Sequence, residues 1–147
     1  MKMWLNNKTP QIRNPNSTRP WQHVLEALSG YLDLSLELNW NKKINGNSFN
    51  FRSDKIKNVT LKNFLKKIKV KWPEIKWLIK KNDKFYESSL LQLDTRKAKK
   101  ILNWKAKLNL NETIEFVVEW YKNFNTQHKN IYKISSEQII KFMKKKT

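Results

Sequence analysis

Ile12-Arg13-Asn14-Pro15-Asn16-Ser17-Thr18-Arg19-Pro20-Trp21-Gln22-His23-Val24-Leu25-Glu26, running on to Ser29-Gly30-Tyr31-Leu32, is the stretch on which the reading of the chain turns. Pro15 and Pro20 bias the residues before them away from helical geometry, so a turn-rich entry is expected there. From Trp21 to about Leu38 the pattern becomes helical: Val24, Leu25, Leu28, Tyr31, Leu32 and Ser35 recur at three- and four-residue spacing. Gly30 in the middle of that helix costs about 1 kcal/mol relative to Ala, which predicts a close neighbour. Just upstream, Thr9-Pro10-Gln11-Ile12-Arg13 reads as a short strand.

Downstream, Ser48-Phe49-Asn50-Phe51 reads as a second short strand. Thr60 is placed to cap a helix with Val59 and Phe64 at the two positions of a hydrophobic staple. Leu61, Phe64, Leu65 and Ile68 form its apolar face, and Pro73 marks its limit. Ile75 to Lys80 suits a half-buried strand, and Ser88 to Leu93 an extended segment. Asp94 then caps a short helix with Ala98, Ile101 and Leu102 inside. Asn109 and Glu112 make a capping-box pattern ahead of a helix whose buried stripe is Ile114, Val117, Val118 and Tyr121. After Phe124 the chain turns polar and basic, with a frayed helix expected over Ser135 to Met143. Residues 1–124 are thus expected to form one unit and residues 125–147 a basic tail with a short helix.

The chain has 147 residues, 31 Lys and Arg against 12 Asp and Glu, and a formal charge of +19. At 39% hydrophobic and 12% aromatic residues it has too much apolar material for a disordered polycation, so a packed core is expected. Four of the cations are Arg (Arg13, Arg19, Arg52, Arg96) and the rest Lys, which shares A/T-rich codons with the abundant Asn and Ile. Codon bias on solvated faces accounts for much of the charge, with a nucleic-acid patch as the rival reading. The absence of cysteine excludes disulfides, a thiolate metal site and a Cys nucleophile. No run approaches the roughly 20 apolar residues of a membrane span, and the N-terminus lacks a secretory core, so a cytoplasmic protein is expected.

No G-x-G-x-x-G, Walker A, G-x-S-x-G or H-E-x-x-H motif occurs, and Gly30 and Gly46 are the only glycines. His23 and His128 lie far apart without ligand-like partners, so no metal site is expected. No Tyr-x-x-x-Lys pair is present. Taken alone, these 147 residues contain no complete active site.

The Arg19-Pro20-Trp21-Gln22-His23-Val24 and Leu28-Ser29-Gly30-Tyr31-Leu32 segments resemble CDP-glucose 4,6-dehydratases, extended short-chain dehydrogenase/reductases. Leu91-Gln92-Leu93-Asp94-Thr95-Arg96-Lys97-Ala98 is similar to that family's L-x-L-D-x-x-K-A segment. Leu102-Asn103-Trp104 and Glu119-Trp120-Tyr121 resemble its L-G-W and V-E-W-Y landmarks, with Asn103 standing where Gly is usual. The likeness runs from about residue 9 to 124 and points to the C-terminal part of such an enzyme. It implies an α/β fold, mixed α+β in isolation, that is the substrate-binding portion of a Rossmann-type protein without its dinucleotide-binding half. A split-gene product, a fragment or a decayed paralogue would each fit, with Met1-Lys2-Met3 as an internal start.

The resemblance also implies roles. Arg19 would reach the nucleotide diphosphate, for which a planar guanidinium fork is suited; pairing with a carboxylate near the turn is the alternative. Trp21 would lie near the nucleoside, with packing at the helix start as the rival, and His23 reads as structural. Asp94 would lie near the ribose, or serve as the helix cap, or both. Glu87 falls in a segment similar to the family's H-E-A-x-Y-L-K-L-D, although Tyr86 and Leu90 depart from it. Trp104, Trp120 and Tyr121 read as core. The complete family uses NAD to oxidise C4, eliminates water across C5 and C6 and returns hydride to C6, in deoxysugar, O-antigen and lipopolysaccharide synthesis; no cofactor site is expected in this chain. A CDP-sugar is the implied ligand, and a separately encoded N-terminal half or a homodimer the implied partner. Without such a partner, Phe49, Phe51 and the apolar stripe of the first long helix are expected to be exposed. A basic nucleic-acid module and a nonfunctional remnant stand as alternatives.

Overall fold

The computed structural model describes residues 1–80, 91–126 and 131–145. In chain order it contains α1 (Lys2–Leu5), β1 (Gln11–Ile12), α2 (Val24–Trp40), α3 (Leu61–Lys71), β2 (Leu78–Ile79), α4 (Arg96–Leu102), α5 (Leu110–Thr126) and α6 (Ile131–Met143). A 3-10 turn at Lys42–Ile44 follows α2. The mixture of helix and strand agrees with the expected class. β1 and β2 form a two-stranded parallel ribbon, with Gln11 opposite Leu78 and Ile12 opposite Ile79.

Local chemistry sets several boundaries where the residues predict them. The Thr60 hydroxyl accepts from the Asn63 N–H at 3.2 Å and starts α3. The α5 capping box is closed from both sides: Asn109 N–H to Glu112 at 2.8 Å, and Glu112 N–H to the Asn109 side chain at 3.1 Å. Asn103 ends α4 in the left-handed region, φ 49° and ψ 21°. Asn tolerates that conformation better than other side chains do, which explains how it stands in place of a glycine.

Among the described residues the interior is built around three patches. Ile68, Trp72 and Ile75 meet Ile114 and Val118 between α3 and α5. Leu108 and Phe116 meet Phe142, so the last helix, expected to be frayed, is seated by a buried aromatic. α6 runs from Ile131, four residues earlier than expected, and its Gln138 amide donates to the Phe116 carbonyl at 2.8 Å. Trp104, Ala98 and Ala106 form the third patch around Phe51.

Two expectations need correction. Residues 48–51 form no strand, and Phe51 is buried. Its ring packs edge-on to Trp104 at 5.2 Å, and the chain's own α4 and residues 104–106 supply the cover that a neighbouring strand was expected to give. Phe49 is half-buried, with the Lys97 ammonium 4.9 Å from its ring centre. Leu78 and Ile79 of β2 are exposed rather than half-buried, because the ribbon has one pair of strands and its burial falls on Ile75 instead. The exposed apolar stripe of α2 is as expected at Val24, Leu28, Tyr31 and Leu32, whereas Leu25 is half-buried against the Leu108, Phe116 and Phe142 patch.

The inward face of α2 is polar. Glu26 is fully buried, and its carboxylate accepts the Lys107 N–H at 2.9 and 3.2 Å and the Leu108 N–H at 2.6 Å. One turn on, the Ser29 hydroxyl accepts from the Trp104 indole at 3.0 Å and donates to the Glu26 carbonyl at 2.8 Å. Gly30 follows, and a Cβ there would overlap the Phe51 ring. The close neighbour that a mid-helix glycine predicts is therefore Phe51.

Gly30→Ala is expected to destabilise the fold by about 1–3 kcal/mol through overpacking, although Ala is the better helix former. A urea melt that shows equal or higher stability would contradict the contact. Glu26→Ala leaves two buried N–H groups without their acceptor and should cost about 3 kcal/mol or more. Glu26→Gln keeps one carbonyl oxygen for Leu108 and should lose less in the same melt.

Candidate functional site

Two backbone connections bring the entry to α2 and the entry to α3 side by side. Thr18 and Thr60 form an isolated antiparallel bridge, and the Leu61 N–H donates to the Ser17 carbonyl at 2.9 Å. The Trp21 indole N–H then donates to the Val59 carbonyl at 2.8 Å. Its ring stacks on Phe64 with centroids 3.9 Å apart and planes 4° from parallel. Trp21 and the staple residue Phe64 therefore share one contact, and one face of the indole is taken by packing.

The segment leading to α4 joins the same strip. Gln92 donates to the Asn58 side chain at 3.0 Å, and Asn50 donates to the Asp94 carbonyl at 3.3 Å. Arg19 and Asp94 thus sit on segments that converge around residues 58–60. Their side chains have local engagements. Arg19 donates to the Thr18 carbonyl at 2.8 Å. Asp94 accepts the Arg96 N–H at 2.9 Å and grips the Arg96 guanidinium at 2.6 to 3.1 Å. The Arg96 hydrogen bonds hold the Asp94 carboxyl down at about 2. Asp94 is not the helix cap expected of it: Thr95 occupies that position without a side-chain cap, and Asp94, one residue earlier, accepts the N–H of Arg96, the first residue of α4. Glu87, with Tyr86 and Leu90, lies outside the described residues.

Two polar side chains in this strip carry buried atoms without partners. Gln22 donates to the Phe51 carbonyl at 3.0 Å, while its Oε1 is buried and unbonded. The next residue along, Arg52, has a buried Nε with no hydrogen-bond partner. At the helix entry Gln22 and His23 are the two residues of which one was expected to hydrogen-bond backbone, and both do; Arg52 was not singled out from sequence, where one Arg in a Lys-rich chain gives no signal. Glu26 was likewise passed over, because an acidic residue in an amphipathic helix reads as solvated.

Beside the strip, the start of α2 faces α5 and α6 across a cavity of about 470 Å³. Gln22, His23, Leu25, Val117, Trp120 and Gln138 are among its lining residues. His23 caps α2: its Nδ1 accepts the Leu25 N–H at 3.3 Å, which assigns the ring proton to Nε2. Its ring packs edge-on to Phe116 at 5.5 Å, and burial lowers its pKa to about 4. The expected structural role is what the geometry gives. Glu26, three residues on, is pushed upward by burial, while the Leu108 and Lys107 N–H groups and the Lys55 and Lys107 charges pull it back.

The residues do not fit NAD. Gly30 is packed against Phe51 inside a helix, and Gly46, at φ 74°, follows a 3-10 turn rather than a strand. Among the described residues no group of three His, Cys, Asp or Glu could hold a metal ion. No described helix is long and apolar enough to cross a membrane.

The chain is similar to a CDP-glucose 4,6-dehydratase. That protein, from Salmonella typhimurium (strain LT2), is 35% identical over 125 residues, which cover 83% of this chain and 34% of the enzyme. The chain thus spans about a third of the length of the curated relative it matches. No protein-family model matches it. The relative supports the origin inferred from the Arg19-Pro20-Trp21 segment.

The cap at His23 has a measurable consequence. Below pH 6.5 the unfolded chain binds a proton that the folded chain refuses until about 4, so folding stability is lost as pH falls through that window. The loss attributable to His23 is about 3 kcal/mol, from about 1.4 kcal/mol per pH unit of difference. His23→Asn keeps a capping acceptor but does not titrate, so the difference in stability between wild type and variant should shrink from pH 7 to pH 4. A constant difference in urea melts would contradict the assignment.

Proposed function

We propose that this chain carries nucleotide-sugar-binding residues of a CDP-glucose 4,6-dehydratase-like protein. The observation that carries the reading is the 35% identity over 125 residues to such an enzyme. The convergence of the Arg19, Val59 and Asp94 segments on one strip supports it.

In this reading Arg19 takes the diphosphate of a CDP-sugar, because a guanidinium fork matches two phosphate oxygens. Asp94 meets the ribose hydroxyls by exchanging contacts with Arg96, both being exposed. Trp21, stacked on Phe64, offers the opposite face of its indole to the base and holds the Arg19 segment against α3. Glu87 is retained as a further sugar contact on the resemblance alone. The redox and dehydration chemistry belongs to residues that are not among these 147.

Calorimetry with CDP-glucose tests the proposal. Binding is expected, Arg19→Ala should weaken it about tenfold or more, and a DNA duplex should not displace it. Loss of a charge-assisted pair of this kind is worth about 1.5–3 kcal/mol. Absence of any CDP or CDP-glucose binding would sink the reading. Tight duplex binding that falls steeply with salt would favour a nucleic-acid module instead. The chain with CDP-glucose and NAD should form no 4-keto product, and a measurable rate would show that the chemistry resides here after all.

A further inference from the structure

The cavity between the start of α2, α5 and α6 has no part in the nucleotide-sugar reading, since none of Arg19, Trp21 and Asp94 lines it. At about 470 Å³ it falls within the roughly 300–1,000 Å³ of small-molecule sites. Leu25 and Val117 give it apolar walls and Trp120 an aromatic one. The Trp120 ring is fixed in place: its indole N–H donates to the Ser135 hydroxyl at 3.0 Å, and its plane stacks on Phe124 at 5.3 Å. The wall is therefore set before any ligand arrives, which lowers the ordering cost of binding.

Two polar wall residues are more than nine-tenths buried, His23 at 7% and Gln138 at 5% exposure. Each has one hydrogen-bonding atom left over. His23 accepts the Leu25 N–H at Nδ1, so its Nε2 carries a proton that no described residue accepts. Gln138 spends both amide protons, on the Phe116 carbonyl at 2.8 Å and on Glu119 at 3.3 Å, and its Oε1 accepts from no described residue. Neither atom is sealed inside the protein in the way that the Gln22 Oε1 is. Both residues rest on Phe116, His23 through its ring at 5.5 Å and Gln138 through the Phe116 carbonyl. A donor and an acceptor thus stand open on neighbouring walls, and groups this deeply placed are costly to leave unpaired.

The walls also disfavour charge. No Lys, Arg, Asp or Glu is among the described lining residues, in a chain with 31 Lys and Arg. Burial lowers the His23 pKa to about 4 and lowers that of the Met1 amino group as well. The complement of such a cavity is an uncharged, largely apolar, planar molecule with an acceptor and a donor side by side on one edge. A lactam edge has that pattern: its carbonyl takes the His23 Nε2–H, and its N–H meets the Gln138 Oε1.

We propose that this cavity is a second binding site, for an uncharged bicyclic aromatic lactam held between His23 and Gln138 and packed on Trp120. The site does not depend on nucleotide-sugar binding, so its failure and the failure of the CDP-glucose reading are separate results.

2-Quinolinone is the probe. Calorimetry is expected to give one site with a dissociation constant on the order of 100 µM or below, in keeping with about eleven non-hydrogen atoms. 1-Methyl-2-quinolinone, which lacks the donor, should bind about tenfold more weakly. His23→Asn keeps the capping acceptor but withdraws the Nε2–H, and should weaken the probe by a similar factor. Val117→Trp fills the cavity from α5 and should abolish binding while far-ultraviolet circular dichroism is unchanged. A readout that needs no destabilising variant is the indole N–H resonance of Trp120, which should shift as the probe is added, while that of Trp40, at the far end of α2, should not. No saturable binding of 2-quinolinone would overturn the proposal. So would tighter binding of 2-naphthoate, which would make the cavity an anion site, or displacement of the probe by CDP-glucose, which would make it part of the nucleotide site.

Discussion

The carboxylate of Glu26 is the fastening on which the arrangement of the chain depends. It joins α2 to residues 107 and 108, eighty-odd positions later, through three contacts of 2.6 to 3.2 Å to backbone N–H groups. A buried carboxylate is costly unless its lone pairs are filled, and here burial and hydrogen bonding oppose each other on one group. The clamp fixes Leu108, which packs with Phe116 and Phe142, and Leu108 in turn accepts the Ser53 hydroxyl at 3.3 Å. One side chain therefore ties together the start of α2, the segment after Phe51, the connection into α5 and the last helix.

That fastening has a consequence for the surface. Because the polar face of α2 is spent on Glu26, Ser29 and the close approach at Gly30, its apolar face has to point outward. The helix is anchored by directed hydrogen bonds together with Leu25 and Leu34, which pack against the Phe116 and Phe51 patches. Its exposed stripe is thus a property of how the interior is organised, and a partner surface would cover it without disturbing the clamp. The same economy of position appears at Trp21, where one ring closes the α3 staple and carries the hydrogen bond to Val59.

Much of the local structure was legible in the residues themselves. Thr60, the Asn109 and Glu112 pair, His23 at the helix entry and the crowding at Gly30 all act within a few residues or impose a steric rule. Asn103 was marked as a departure from a glycine and proves to be left-handed. Phe51 was misjudged because its cover comes from Trp104 and Ala98, some fifty residues away, and no spacing rule reports such a contact. The buried, unbonded atoms of Arg52 and Gln22 gave no signal, because an unpartnered buried atom is defined by its surroundings.

The sequence by itself determined α2, α3 and α5, the caps at Thr60 and Asn109 and the segment that resembles a nucleotide-sugar enzyme, because these rest on periodicity, short-range hydrogen bonding and a specific run of residues. Tertiary structure alone decided what the inward face of α2 meets, that Asp94 is held by Arg96, and that the Arg19, Asn58 and Asp94 segments share a strip. The physical reason is the same in each case. A side chain's partner across a long loop depends on where the whole backbone returns, and a carboxylate such as Glu26 reads as solvated until the two N–H groups that receive it are in view.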